Sequence, residues 1–301
     1  NVEEITDVGR LSHFIKEAYP FYVKPLPNLY FTRDPGAVIG DGLAICAMKT
    51  SARARESSLL SFIHRYHPLF SSESDTRDEA ERRVPLWYTP GDLDSIEGGD
   101  VLVLSPETVA VGCSARTSAE GIERLAARVL DDATTFRELL VLQIPFIRAY
   151  MHLDTVLTMV DRDAFSIYPG IKERIEIFRL TRDRTGSIAI RTVDGLARAL
   201  SNSLRIDAVR LIESGGGDVT TAAREQWNDS TNTLALKPGV VVTYDRNTVS
   251  NETLRKAGIT VVEIEGSELV RGRGGPRCMS MPLLRDTPDG APYPPLNVTP
   301  G

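Results

Sequence analysis

The sequence runs to 301 residues, with 35 Lys and Arg against 41 Asp and Glu, a formal net charge of −6. That balance argues against nucleic acid as a partner, and no run approaches the ~18 apolar residues that a membrane-spanning helix needs. With 42% hydrophobic and 25% charged residues, the composition is that of an ordinary globular chain, long enough for two average domains or one closed architecture.

The chain opens on Asn1 and enters directly into a charged segment. The expectation is that upstream sequence, with any targeting signal, is missing. Residues 2–18 read as a short amphipathic helix with Leu11, Phe14, Ile15 and Ala18 on one side. Pro20, Pro25 and Pro27 then enforce an extended passage. After the run Asn28 to Pro35, an apolar strand at 37–39, a Gly40-Asp41-Gly42 turn and a partner strand at 43–48 predict a hairpin. A helix is expected from about Arg53 to His67, and a polar surface excursion over 71–85. The same order recurs. Ile96-Glu97-Gly98-Gly99-Asp100 leads into a strand at 101–104, a turn, a strand at 109–112 and a helix from about Ala119 to Asp131, with Ser and Thr before it as the expected cap types. A third copy starts at Met151-His152-Leu153-Asp154-Thr155 with a strand at 156–160. A fourth runs from Glu213-Ser214-Gly215-Gly216-Gly217-Asp218 through strands at 232–237 and 239–244, a helix near 251–257 and a strand at 260–264.

A fifth copy carries the stretch Arg271-Gly272-Arg273-Gly274-Gly275-Pro276-Arg277-Cys278. The key positions Asp34, Glu97, His152, Gly217 and Cys278 are separated, by subtraction, by 63, 55, 65 and 61 residues. A near-constant period of mixed strand and helix marks a repeat architecture, and a pseudo-symmetric arrangement would bring equivalent loops to one polar cleft. Two copies share the Gly-Gly-Asp string. Taken singly, Asp34 before Pro35 fits a turn cap, Glu97 a β-turn and His152 a structural histidine; together, at this period, they point to catalysis.

Three cysteines, Cys46, Cys113 and Cys278, form an odd set with no framework spacing, which favours a reduced, cytoplasmic setting. They lie too far apart in sequence for a zinc signature, and no metal or other cofactor is expected. Cys46 and Cys113 have no motif around them. Cys278 sits among three arginines in a glycine-rich loop, and nearby cations lower a thiol's pKa by stabilising the thiolate. It is the candidate nucleophile.

On Phe31-Thr32-Arg33-Asp34, Glu97-Gly98-Gly99-Asp100, His152-Leu153-Asp154-Thr155, the segment 215–228 and Arg271 to Pro282, in that order over nearly all of the chain, the sequence resembles the arginine deiminase family of the guanidine-modifying pentein superfamily. The resemblance implies an α/β five-bladed propeller (pentein) of pseudo-symmetric ββαβ units spanning residues 1–285. It implies one blade incomplete at the N-terminus, residues 1–20 as the end of a helical insertion, and 286–301 as a Pro-rich tail. It implies hydrolysis of free L-arginine to L-citrulline and ammonia without a cofactor. Cys278 would be the nucleophile, Glu97 and His152 the proton-handling pair, and Asp34 and Asp154 the grip on the guanidinium. Arg53 and Arg116 match the residues that bind the α-carboxylate, and Asn28 and Phe31 the other amino-acid contacts. Arg273 matches a residue that can swing over the empty site. Family members usually carry more than a hundred residues before the point matching Asn1, so a complementary N-terminal fragment is an expected partner, together with further copies of the chain. Alternatives are action on methylated arginine or agmatine, amidino transfer, or an inactive binding fragment.

Overall fold

The computed structural model describes residues 25–70, 84–91 and 94–286. The helix expected over 2–18, most of the 71–85 excursion and the tail beyond Asp286 lie outside the described residues.

Four units of one topology follow each other. The first consists of β1 (Gly36–Ile39), β2 (Gly42–Ile45), α1 (Ala54–Tyr66) and β3 (Leu86–Tyr88). The second is β4 (Val101–Val103), β5 (Thr108–Cys113), α2 (Ala119–Val129) and β6 (Glu138–Gln143). The third is β7 (Leu157–Asp161), β8 (Ala164–Ile167), α3 (Leu196–Leu204) and β11 (Arg210–Glu213), interrupted by a hairpin of β9 (Glu176–Arg182) and β10 (Ile188–Thr192). After α4 (Val219–Gln226) comes the fourth: β12 (Leu234–Lys237), β13 (Val240–Tyr244), α5 (Thr248–Lys256) and β14 (Thr260–Ile264). In each unit the first two strands are antiparallel, and the second pairs parallel with the last. Parallel neighbours need a crossover, which is why a helix sits between the second and last strands. The β9–β10 hairpin belongs to the third unit in sequence but pairs antiparallel with β6, so it widens the second unit's sheet.

The strand period of two decides how the units stack. Val101, Val109, Val111, Leu139 and Val141 face a core shared with Ala37, Ile39 and Ala44 of the first unit. The alternate residues Leu102, Ala110, Leu140 and Leu142 face a second core with Leu157, Phe165 and Leu200 of the third. A third core joins Val160, Ala164 and Ile212 to Val241, Leu254 and Ile259 of the fourth unit. Side chains on alternate positions point to opposite faces of a strand, so a sheet apolar on both faces is sandwiched between its neighbours. The units are therefore layered side by side in chain order. Helix α2 shows the local logic: Ile122, Leu125, Ala126 and Val129 are buried at helical spacing. The Ser118 hydroxyl caps it, accepting from the Gly121 N–H at 3.2 Å.

The fifth stretch does not build a unit among the described residues. Beyond β14 the chain makes a helical turn over Leu269–Gly272 and returns irregularly, with Met281 and Leu283 packed against Val38, Leu43 and Leu60 of the first unit. The five-unit period thus resolves into four ββαβ units and a fifth segment that supplies a loop.

Candidate active site

The loops that enter the first strand of each unit meet at one end. A ring of hydrogen bonds joins them in chain order. Gly98 N–H donates to the Asp34 carbonyl at 2.9 Å, and Leu153 N–H donates to Asp100 Oδ1 at 2.7 Å. Asn232 Nδ2 donates to the Asp154 carbonyl at 3.1 Å, and Cys278 N–H donates to Asn232 Oδ1 at 3.1 Å. Arg33 N–H donates to the Cys278 carbonyl at 3.0 Å and closes the circle. Five segments far apart in sequence therefore hold one another by side-chain and backbone contacts that no single hairpin could make. Gly98 is required by close approach: a Cβ there would lie 2.1 Å from the Arg33 carbonyl oxygen.

Inside the ring, His152 Nε2 lies 2.6 Å from Glu97 Oε2, and its Nδ1 lies 3.8 Å from Asp34 Oδ1. Cys278 Sγ is 4.0 Å from Asp154 Oδ2. Asp34, Glu97, His152, Asp154 and Cys278, all expected from the sequence, are each buried and form one cluster. Burial works against a charge on His152, but Asp34, Glu97 and Asp100 outweigh it and raise the imidazole to about 10. Burial likewise opposes ionisation of Glu97, yet the His152 hydrogen bond and the nearby Arg116 hold it below the usual carboxylate range. The pair rests as imidazolium and carboxylate.

The expected activation of Cys278 by its loop arginines is overturned. Burial pushes the thiol well above its ordinary value, and Asp154, Asp34 and Asp229 push it further; Arg33 alone of the named charges opposes them. Arg271 is exposed and pairs with Glu268 at 3.0 Å, and Arg273 stacks on Trp227 at 4.2 Å. Arg277 Nε lies 3.2 Å from Asp154 Oδ2. Neighbours in sequence are here partners of other groups, and Cys278 rests as a neutral thiol.

The remaining expected residues surround the cluster. Arg53 is buried and ion-pairs with Asp34 and with Glu56, the latter at 2.7 Å, while its other donor reaches the Phe31 carbonyl at 3.2 Å. Most of its donors are engaged within the chain. Arg116 is half-buried, 3.5 Å from Glu97 Oε1, with its NH2 group 3.7 Å from Met151 Sδ, so much of its fork is uncommitted. Phe31 is buried against Gly274 of the cysteine loop, and Asn28 is half-buried, its carbonyl accepting from Phe31 N–H at 2.9 Å.

Gly217 is not the fourth unit's contribution. It is exposed at the start of α4, and Asp218 beside it only caps that helix, accepting from Thr221 N–H at 2.7 Å. Asp100 in the matching string is buried, receives the Ser114 and Thr117 hydroxyls at 2.7 and 2.6 Å, and is raised by burial to about 7. The fourth loop delivers Asp229 and Asn232 instead. A run of small polar residues directly before β12, matching His152 to Thr155 before β7, was the available signal. Arg33 was also missed as a site residue: buried between Cys278 and the Ser280 hydroxyl, it donates to that oxygen at 3.1 Å.

An arginine deiminase family model matches residues 3–285. The chain belongs to the arginine deiminase family. A curated arginine deiminase from Bacillus cereus (strain B4264) is 50% identical over 291 residues, covering 95% of this chain and 68% of the relative. One from Staphylococcus epidermidis (strain ATCC 35984) is 48% identical over 281 residues, covering 92% and 66%. The chain thus spans about two thirds of the length of these arginine deiminases. Among solved structures, a mutant of AgrE in binary complex with L-arginine matches with a TM-score of 0.60 at 16% identity, over 90% of this chain and 33% of that one. A dimethylarginine dimethylaminohydrolase adduct with S-methyl-L-thiocitrulline matches with a TM-score of 0.55 at 15% identity, over 83% and 75%. These two share the fold, that of the pentein superfamily.

Proposed function

We propose that the chain hydrolyses free L-arginine to L-citrulline and ammonia through a covalent adduct on Cys278. The observation that carries this reading is a pair of oxygens. Asp34 Oδ1 and Asp154 Oδ1 are buried and have no hydrogen-bond partner, although the opposite oxygen of each carboxylate is engaged by Arg53 or Arg277. Two unfilled anionic acceptors flanking Cys278 suit the N–H edges of a planar cation.

The chemistry follows from the protonation states. With the thiol neutral and buried, arrival of the cationic guanidinium favours the thiolate, and Asp154, 4.0 Å away, is placed to receive the proton. Sulfur adds to the guanidinium carbon, and the C=N electron pair moves onto nitrogen. Imidazolium at His152 donates its proton to one amino group, the C–N bond breaks and ammonia departs, leaving a cationic thiouronium. The neutral imidazole then takes a proton from water as its oxygen bonds to the same carbon. As the C–S bond breaks, the adduct's hydroxyl proton passes to sulfur, which releases citrulline and restores the thiol. His152 is again imidazolium, and the proton that Asp154 took is lost to solvent, where it converts ammonia to ammonium. Glu97 holds His152 throughout.

Arg116, with Arg53, is assigned the substrate's α-carboxylate, and Asn28 and Phe31 the amino-acid end. Most of the Arg53 donors are already engaged by Asp34, Glu56 and the Phe31 carbonyl, so Arg116 carries the larger share. The same reading includes a cytoplasmic location and assembly with further copies of the chain and with a complementary N-terminal segment; light scattering and co-purification test the last two. Incubation of the chain with L-arginine and a colorimetric citrulline assay tests the reaction. Absence of citrulline above a Cys278→Ala control would end it.

A further inference from the structure

Arg273 and Asp229 are two of the three described non-glycine residues with positive φ, at 62° and 55°. Such backbone is strained and persists where contacts over-determine it. The contacts are visible on both sides of Arg273. A Cβ on Gly272 or Gly274 would strike the Phe31 ring, at 2.8 and 2.6 Å, so the loop backbone is pressed onto that face. The Arg273 side chain instead lies over the ring of Trp227, the residue that closes α4, with its guanidinium carbon 4.2 Å from the ring centroid. Trp227 is 54% exposed, so this stacking is not forced by core packing.

Two positions further on, Asp229 is buried, and its Oδ2 has no hydrogen-bond partner; Arg273 Nε is likewise buried and unpartnered. Burial raises Asp229 to about 7, and Arg273 is the foremost of the charges that hold it down. The turn containing Asp229 also carries Asn232, whose N–H donates to the Asp229 carbonyl at 3.0 Å and whose Oδ1 receives Cys278 N–H at 3.1 Å. The turn therefore meets the cysteine segment at Cys278 through Asn232, while Trp227, two residues before Asp229, meets it at Arg273.

We propose that the Trp227 ring face seats the Arg273 guanidinium, with the charge of buried Asp229 acting on it from beyond ion-pair distance, and that this seat positions the loop carrying Cys278. Both are positioning residues for the deiminase reaction, and the kinetic consequence rests on that reading. A stacked cation of this kind corresponds to roughly two- to thirtyfold in an equilibrium.

The test uses the full chain and the variants Trp227→Ala, Trp227→Phe, Asp229→Asn, Arg273→Ala and the Trp227→Ala/Arg273→Ala double. Asparagine tolerates the left-handed backbone, so Asp229→Asn removes charge without unfolding the turn. Trp227→Ala is expected to lower kcat/KM for arginine by at least about threefold, and Trp227→Phe to recover part of the loss. In the Arg273→Ala background, Trp227→Ala should have less than a twofold further effect. Equal losses in both backgrounds would overturn the seat. A second measurement needs no turnover. The chain has two tryptophans, so the emission of Trp227 is the difference between the protein and Trp227→Phe. Arg273→Ala and Asp229→Asn should each raise its quenching by acrylamide, and unchanged quenching in both refutes the proposal. A chain that makes no citrulline refutes the deiminase reading and leaves this fluorescence result standing.

Discussion

Replacing His152 by glutamine gives a test whose size and sign come from the site's electrostatics. The imidazole is held to about 10 in the folded chain against a usual 6.5. A base raised on folding contributes stability that is complete below its unfolded pKa and is lost as pH rises through its folded pKa. The window for His152 is therefore about 6.5 to 10. Within it the folded chain keeps a proton that the unfolded chain has released, so stability falls by up to about 1.4 kcal/mol per pH unit. From pH 7 to 9 the loss amounts to roughly 2–2.5 kcal/mol. Asp100 and Asp229, raised by burial to about 7 although His152 holds both down, lose their contribution as pH rises from the usual carboxylate range through 7. Without the imidazolium both rise further, which narrows but does not remove the difference between the two proteins. Cys278, raised above 9, matters only at higher pH. Urea unfolding followed by circular dichroism at pH 7, 8 and 9 gives the two slopes. The chain should lose at least about 1.5 kcal/mol more than His152→Gln over this range. Parallel curves would mean that His152 rests neutral and that proton delivery to the leaving nitrogen has another source.

The other expectations are direct. Cys278→Ala should abolish citrulline formation while retaining arginine binding by calorimetry, and should bind neutral citrulline at least about tenfold more weakly, because the uncharged urea loses charge-assisted contacts; equal affinities would exclude the carboxylate grip. Ultraviolet titration of the Cys278 thiol in the free protein should give an apparent pKa above 9, and a value below 8 would revive activation by the loop arginines. Arg116→Ala should lower kcat/KM at least about tenfold for arginine and much less for agmatine, which lacks the carboxylate; an unchanged ratio of the two would free Arg116 of its assignment. Gly112→Ala would place a Cβ 2.3 Å from Asp100 Oδ1 and 2.7 Å from Leu153 Cβ, and should destabilise by about 1–3 kcal/mol; a melting temperature within 1 °C of the parent would contradict the packing described.

The sequence made some elements plain and concealed others for identifiable reasons. The β1–β2 hairpin, α1, α2, β13, α5 and β14 fell where periodicity put them, and α2 and α5 each bury an apolar face against an adjacent unit. The β9–β10 hairpin was unreadable because β9 pairs with β6 of another unit, and its inner and outer residues carry no clean alternation. That insertion also lengthens the third unit, so an even period led to Gly217 when the fourth loop lies at Asp229 to Asn232. The five residues that gather in the buried cluster were legible because each opens a repeat or lies two positions beyond such an opening. Their electrostatics were not, since the carboxylates that raise the Cys278 thiol arrive from three other loops, and no local reading of the arginine-rich stretch contains them.

The pairing of charges around the cleft explains how such a site survives without substrate. Asp34 is held by Arg53, Glu97 by Arg116 and Asp154 by Arg277, and Arg273 is the foremost charge favouring ionised Asp229. Buried carboxylates left alone would take up protons or unfold the loops, so each arginine makes its partner tolerable. At Asp34 and Asp154 the compensation stops at one oxygen, and the other stays buried and unfilled. A donor placed between the two can engage both oxygens. A guanidinium brings donors to both and a positive charge beside the thiol. Citrulline, formed in the same place, brings donors without the charge. The binding of substrate and the release of product thus have one origin, the two oxygens that the chain's own arginines leave free.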